Sequence, residues 1–130
     1  MISITSKSPY ALAALLELYH YGDQVPVPIA ELARRRGIPV QFLEQLFATL
    51  RRGGVLRSQR GVKGGYSFAR SPDEITVLEL VELLDGPVGQ GASGPFAEAA
   101  EAARSVLAAS TIAEVAEAEA RASQAPMYHI

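Results

Sequence analysis

The sequence predicts a mostly α fold with a single β-hairpin, and three observations carry that reading. Apolar residues recur at helical spacing in six segments of this 130-residue chain. Between the third and fourth of these, the stretch QRGVKGGY (residues 59–66) sets three glycines and two cations between two short runs of strand character. The charge is also divided along the chain. Residues 1–70 hold ten Lys/Arg against four Asp/Glu, a net +6, and residues 71–130 hold two against ten, a net −8.

Each element follows from local signals. Ser8-Pro9 is read as a helix start, with Ser as N-cap and Pro at the first helical position. Ala11, Leu12, Leu15, Leu16 and Tyr19 continue that helix, which ends near Gly22. Val25-Pro26-Val27-Pro28 is extended, because proline restricts the residue before it. A short second helix runs through Ile29, Leu32 and Ala33 to Gly37, and Ile38-Pro39 forms the turn. A third helix carries Phe42, Leu43, Leu46, Phe47 and Leu50 and stops at Gly53-Gly54. Two helices about a short Gly-containing turn form a helix-turn-helix. Residues 55–59 and 66–69 then pair around the glycine tip, which completes a winged helix-turn-helix. Thr76 opens a fourth helix through Leu84 with a capping-box pattern at residues 76–79. Residues 86–94 (GPVGQGASG) are a flexible loop. A long helix places Phe96, Ala99, Ala100, Ala103, Val106 and Leu107 on one face, and a second capping box at residues 111–114 starts a last helix to about Ala122. The expected division is therefore 1–85 as a winged-helix domain, 86–94 as loop, 95–122 as dimerisation helices and 123–130 as a frayed tail.

Composition excludes several classes of function. No apolar run approaches the roughly 20 residues a membrane helix needs. The N-terminus MISITSKSPY lacks a signal-peptide layout, so a cytoplasmic location is expected. The chain has no Cys, which excludes disulfides, thiolate sensing and Cys-ligated zinc or iron–sulfur sites. Only His20 and His129 offer imidazole, far apart in sequence, so no metal or other cofactor is expected. No nucleophile–base constellation is present, and no enzyme activity is expected. Residues 89–94 match G-x-G-x-x-G, but a helix precedes them where a dinucleotide fingerprint requires a strand in a βαβ unit.

The basic half carries the functional signal. With residues 43, 46, 47 and 50 turned to the core, Gln41, Glu44, Gln45, Ala48 and Arg52 form one outward stripe on the third helix. Gln pairs bidentately with adenine and Glu accepts from cytosine N4, so Gln41, Glu44 and Gln45 are candidate base readers. Arg60, Gly61, Lys63, Gly64 and Gly65 form a low-bulk cationic tip suited to a phosphate backbone or a narrow minor groove. Lys7, Arg51, Arg52, Arg57 and Tyr66 are candidate phosphate contacts. A winged helix used for protein–protein contact is the alternative.

These residues also resemble a known family. Ser6-Lys7, Tyr10-Ala11-Leu12, Phe42-Leu43-Glu44-Gln45-Leu46, Arg60-Gly61, Gly64-Gly65-Tyr66 and Ile75-Thr76-Val77 are similar to the winged-helix regulators that include the iron–sulfur cluster regulator IscR and the cysteine-metabolism repressor CymR. The likeness is close over residues 1–85 and holds beyond them by layout. It implies a homodimeric transcription regulator, usually a repressor, on double-stranded DNA. The third helix would enter the major groove, the wing Arg the minor groove, and the long helix after the loop would form the dimer. It also implies control by a partner enzyme or a small ligand. Three departures stand out. Cluster-binding members carry three Cys where this chain has GPVGQGASGPF, Pro39 and Gln41 stand where small hydroxyl residues are frequent, and Val62-Lys63 replaces Pro-Gly in the wing.

Overall fold

The computed structural model describes residues 6–22 and 24–124. It contains α1 (Lys7–His20), α2 (Ile29–Arg36), α3 (Val40–Arg52), β1 (Leu56–Gln59), β2 (Gly65–Phe68), α4 (Val77–Asp85), α5 (Pro95–Ala108) and α6 (Ile112–Gln124). Six helices with one antiparallel hairpin make the expected winged helix-turn-helix. Of the span 123–130 expected as a frayed tail, Ser123 and Gln124 are the last residues of α6. Residues 125–130, including His129, and the opening residues 1–5 lie outside the described residues.

The helix-turn-helix is set by the same device at the ends of α2 and α3. Ile38 N–H donates to the Ala33 carbonyl at 2.9 Å and Val55 N–H to the Leu50 carbonyl at 3.0 Å. Each bond spans six residues and needs a left-handed residue before its donor, supplied by Gly37 (φ 65°) and Gly54 (φ 81°). Both motifs bury the apolar residue that follows, Ile38 and Val55. Chain direction after each helix is therefore fixed by the core.

Ser8 departs from its expected role. It is the second residue of α1, is buried, and donates its hydroxyl to Asp85 of α4 at 2.6 Å. A buried hydroxyl needs a partner, and the end of α4 provides one. Thr76 does cap α4, accepting from Glu79 N–H at 3.1 Å, but the Glu79 carboxylate turns to Arg70 instead of closing the box. The box at Thr111 is reciprocal: Thr111 N–H donates to Glu114 at 2.8 Å and Glu114 N–H to the Thr111 hydroxyl at 3.1 Å.

One core joins α1, α2, α3, the hairpin, α4 and α6 around Phe47, Leu15, Leu43, Leu50, Ile75, Leu80 and Ile112. α6 enters this core through Ile112 and Ala116, and Ile112 N–H donates to the Ile75 carbonyl at 2.8 Å. It thus shares its core with residues 1–85. α5 stands apart, packed on α4 through a smaller cluster of Val81, Val88 and Ala100, with Ala103 and Leu107 against it. The apolar face expected on the long helix is consequently split. Ala100, Ala103 and Leu107 turn to α4, while Phe96, Ala99 and Val106 face outward.

Candidate nucleic-acid interface

α3 presents the expected two-sided helix. Leu43, Leu46, Phe47 and Leu50 are buried, and Gln41, Glu44, Gln45, Arg51 and Arg52 are exposed. At 100° per residue, positions 41, 44, 45, 48 and 52 fall on one outward stripe with Arg51 at its edge. Its seat is firm, since Phe42 meets Tyr10 of α1 edge-to-face at 5.6 Å and Phe47 meets Tyr66 of β2 at 5.1 Å. Arg52 is steadied on its own helix by the Thr49 hydroxyl at 3.2 Å.

The wing is a two-stranded hairpin joined on one edge by an isolated bridge from Val27. Leu56 pairs with Phe68, Arg57 with Ser67, Ser58 with Tyr66 and Gln59 with Gly65. On the far edge of β2, Val27 N–H donates to the Tyr66 carbonyl and Tyr66 N–H to the Val27 carbonyl, both at 2.9 Å. The two consecutive glycines are consumed by this close packing. A Cβ on Gly64 would sit 2.1 Å from the Gln59 carbonyl oxygen, and one on Gly65 would sit 2.3 Å from the Val27 carbonyl group. Gly61 is different: its φ is 107°, with no atom within 4 Å of where a Cβ would be. Tyr66, half-buried against Phe47, anchors the wing to α3 in addition to any phosphate contact its hydroxyl can make.

Ion pairing sorts the cations into two groups. On α2, Arg34 and Arg35 bind Glu31, at 2.8 and 3.0 Å. Hydrogen bonds from Arg34 and then Arg35 hold the Glu31 carboxyl down to about 2. Arg36 binds Glu119 of α6 at 2.8 Å and Glu17 of α1 at 2.9 Å. The bidentate contact to Glu119 raises the Arg36 guanidinium above its ordinary value and lowers the Glu119 carboxyl. Arg70 pairs with Glu79. By contrast Arg51, Arg52, Arg57, Arg60 and Lys63 make no ion pair among the described residues and are all exposed. They lie on the continuous run from the end of α3 through β1 to the wing tip. Lys7 opens α1, outside that run.

Two features of this region escape a local reading. Gln24, Arg57, Phe68, Ala69, Arg70, Ser71 and Pro72 line a cleft of about 170 Å³ at the base of the wing. Its walls come from three chain segments, so no spacing pattern announces it. Arg57 also reaches the Ala69 carbonyl at 3.4 Å, which orients it along the wing's base.

A polar helix face seated beside an unpaired cationic wing defines the class as a winged-helix transcription regulator. Comparison with known families makes this particular. Residues 4–109 match the Rrf2 family, described as iron-dependent transcriptional regulators, and the chain belongs to that family. The HTH-type transcriptional regulator IscR of Aliivibrio salmonicida is 40% identical over 87 residues, 67% of this chain and 52% of that protein. IscR of Photorhabdus laumondii is 40% identical over 85 residues, 65% of this chain and 52% of that protein. The chain thus spans about half the length of the curated relatives it matches. Among solved structures, IscR of T. potens superposes with a TM-score of 0.84 at 29% identity, covering 98% of this chain and 95% of that one. CymR, the global cysteine regulator of B. subtilis, gives a TM-score of 0.81 at 27% identity, covering 90% and 98%. These relatives are named as regulators, not enzymes.

The iron in the family's description does not fit the donors of this chain. Its 130 residues include no Cys and two His. Among the described residues, no three of His, Cys, Asp and Glu converge where a metal could be held. A thiolate-held cluster has no ligands here. Among the described residues, no helix is long and apolar enough to cross a membrane.

Proposed function

We propose that this chain is a sequence-specific, homodimeric DNA-binding regulator, acting in the cytoplasm as a repressor without an iron–sulfur cluster. The observation that carries the reading is the sorting of charge. Arg34, Arg35, Arg36 and Arg70 are neutralised by the protein's own carboxylates, while Arg51, Arg52, Arg57, Arg60 and Lys63 are left for an outside polyanion beside the polar stripe of α3. Gln41, Glu44 and Gln45 read base edges in the major groove. Arg60 and Lys63 hold the wing on the backbone and minor groove, and Arg51, Arg52 and Arg57 contact phosphates. The second copy covers the outward stripe of α5, where Phe96 and Val106 are 72% and 70% exposed. α6 belongs to the same assembly region, as the expected span 95–122 has it. An effector, whether partner protein or small ligand, would act at the joint of α1, α4 and α5. There Leu12, Val77, Leu80, Val81 and Leu107 line an apolar slot of about 190 Å³.

The test is a set of binding isotherms on selected and scrambled duplexes over a salt series. Glu44→Ala is expected to cost about 1–3 kcal/mol at one base position and to leave the salt slope unchanged, since a carboxylate neutralises no phosphate. Lys63→Ala is expected to weaken binding to every sequence and to reduce the slope by roughly one per subunit. A Glu44→Ala loss equal on both DNAs, with a Lys63→Ala loss confined to the selected duplex, would reverse the assigned roles. No salt-dependent binding at all would leave the protein-contact alternative.

A further inference from the structure

The wing ends in a turn closed by Gly64 N–H donating to the Gly61 carbonyl at 3.0 Å. Val62 and Lys63 occupy its two central positions, so both side chains project past the ends of the strands. Val62 is 104% exposed, the most exposed large hydrophobic side chain among the described residues. Those next in exposure, Phe96 at 72% and Val106 at 70%, share a stripe on α5. Val62 has no such company, because its neighbours in the tip are Arg60, Gly61, Lys63 and Gly64. It adds nothing to the core, and the central positions of a turn accept most residues. The tip that presents it is held firmly, with Gly64 seated against the Gln59 carbonyl and Gly65 against Val27.

We propose that Val62 enters the minor groove between Arg60 and Lys63 and makes the wing select A·T over G·C pairs. This rests on the wing reading above. The walls of the minor groove are sugar C–H surfaces, which suit a branched apolar side chain, while the flanking cations reach the phosphates. The floor offers acceptors at every pair, and only G·C adds the guanine N2 amino group, a donor projecting into the groove. Val62 over that amino group would occupy its space and cover a donor with no acceptor, an unpaired polar group. The selectivity is thus a rejection of G·C rather than a bond to A·T.

The experiment uses the full chain and a duplex it selects from a random pool, with the pairs under the wing located by hydroxyl-radical protection. Those pairs are then set to A·T, I·C or G·C, inosine being guanine without its amino group. The expected result is equal binding to A·T and I·C and about fivefold or weaker binding to G·C. Val62→Ser, whose hydroxyl can accept from the amino group, is expected to bring the A·T to G·C ratio within about twofold with the salt slope unchanged. Lys63→Ala is the control and should lower affinity on all three duplexes while keeping the ratio. If Val62→Ser keeps the full ratio, if the wild type does not discriminate, or if I·C behaves as G·C does, the Val62 proposal is overturned while the wing reading stands. If Arg60→Ala and Lys63→Ala both leave affinity and salt slope untouched, the wing reading fails and Val62 falls with it. Failure to select any duplex overturns both.

Discussion

Gly65→Ala tests whether the wing glycines serve the fold or the approach of DNA. Gly65 has φ 150°, and a Cβ there would lie 2.3 Å from the Val27 carbonyl carbon and oxygen. That partner is backbone, so it has no rotamer through which to yield. The extended segment at Val27 must move away, breaking its two reciprocal hydrogen bonds with Tyr66, each 2.9 Å. At about 0.5–1.5 kcal/mol net per bond, the pair is worth about 1–3 kcal/mol. Backbone strain at the alanine adds roughly another 1 kcal/mol. The expected loss is therefore about 2–4 kcal/mol, or roughly 10 °C in Tm. Gly61→Ala is the comparison: its φ of 107° is also unfavourable, but no atom lies within 4 Å, so strain alone should cost about 1–2 kcal/mol. Urea unfolding of the DNA-free protein measures both. If Gly65→Ala unfolds at the wild-type midpoint while losing DNA affinity, the glycine is kept for the ligand and the packing account is wrong.

Four other outcomes follow from the same structure. The Glu31 carboxyl lies at about 2 against an ordinary 4.5, so its contribution to stability is complete above about pH 4.5 and is lost as pH falls towards 2. Glu31→Gln should flatten the dependence of the urea midpoint on pH across that window, and an unchanged profile would count against the Arg34 and Arg35 contacts. Arg36→Met should leave Glu119 of α6 without its bidentate cation and Glu17 of α1 with only its longer contact to Arg35 at 3.8 Å. A loss of about 1–3 kcal/mol is expected, partly restored by adding Glu119→Gln, as a double-mutant cycle would register. Phe96→Glu with Val106→Glu should convert a sedimenting dimer to a monomer of unchanged helix content, and a persistent dimer would place the interface elsewhere. Thr111→Ala should cost about 1 kcal/mol by removing the cap from α6, read as a shift in thermal midpoint.

Local chemistry made much of this protein legible before any coordinates. The buried positions of α3 follow from 3.6-residue periodicity, which any amphipathic helix must show. Gly37 and Gly54 mark true helix ends, because a left-handed residue is cheapest as glycine. The hairpin is readable for the same reason. Ser8 shows where such rules stop: Ser-Pro is a sound start signal, yet the hydroxyl is used by Asp85, 77 residues away. The apolar residues of α5 likewise say that the helix has an apolar face, but not which part of it meets α4 and which remains open.

Arg34 and Arg35 meet Glu31 within one turn of α2, but which of the other cations remain for a ligand was decided by tertiary structure. The sequence determined that the first 70 residues carry a net +6. Arg36 is no less basic in sequence than Arg60, but it is neutralised by Glu17, 19 residues away, and by Glu119, 83 residues away. Among the described residues, Arg51, Arg52, Arg57, Arg60 and Lys63 meet no carboxylate, because α6 folds back along α1 and leaves the outward face of α3 and the wing uncovered. Coulomb attraction acts on separation in space, and chain order constrains that separation only within a few residues. Composition therefore determined how many cations the chain has, and folding decided which of them it spends on itself: Arg34 and Arg35 on Glu31 of their own helix, Arg70 on Glu79 of α4, and Arg36 on Glu17 and on Glu119 of α6.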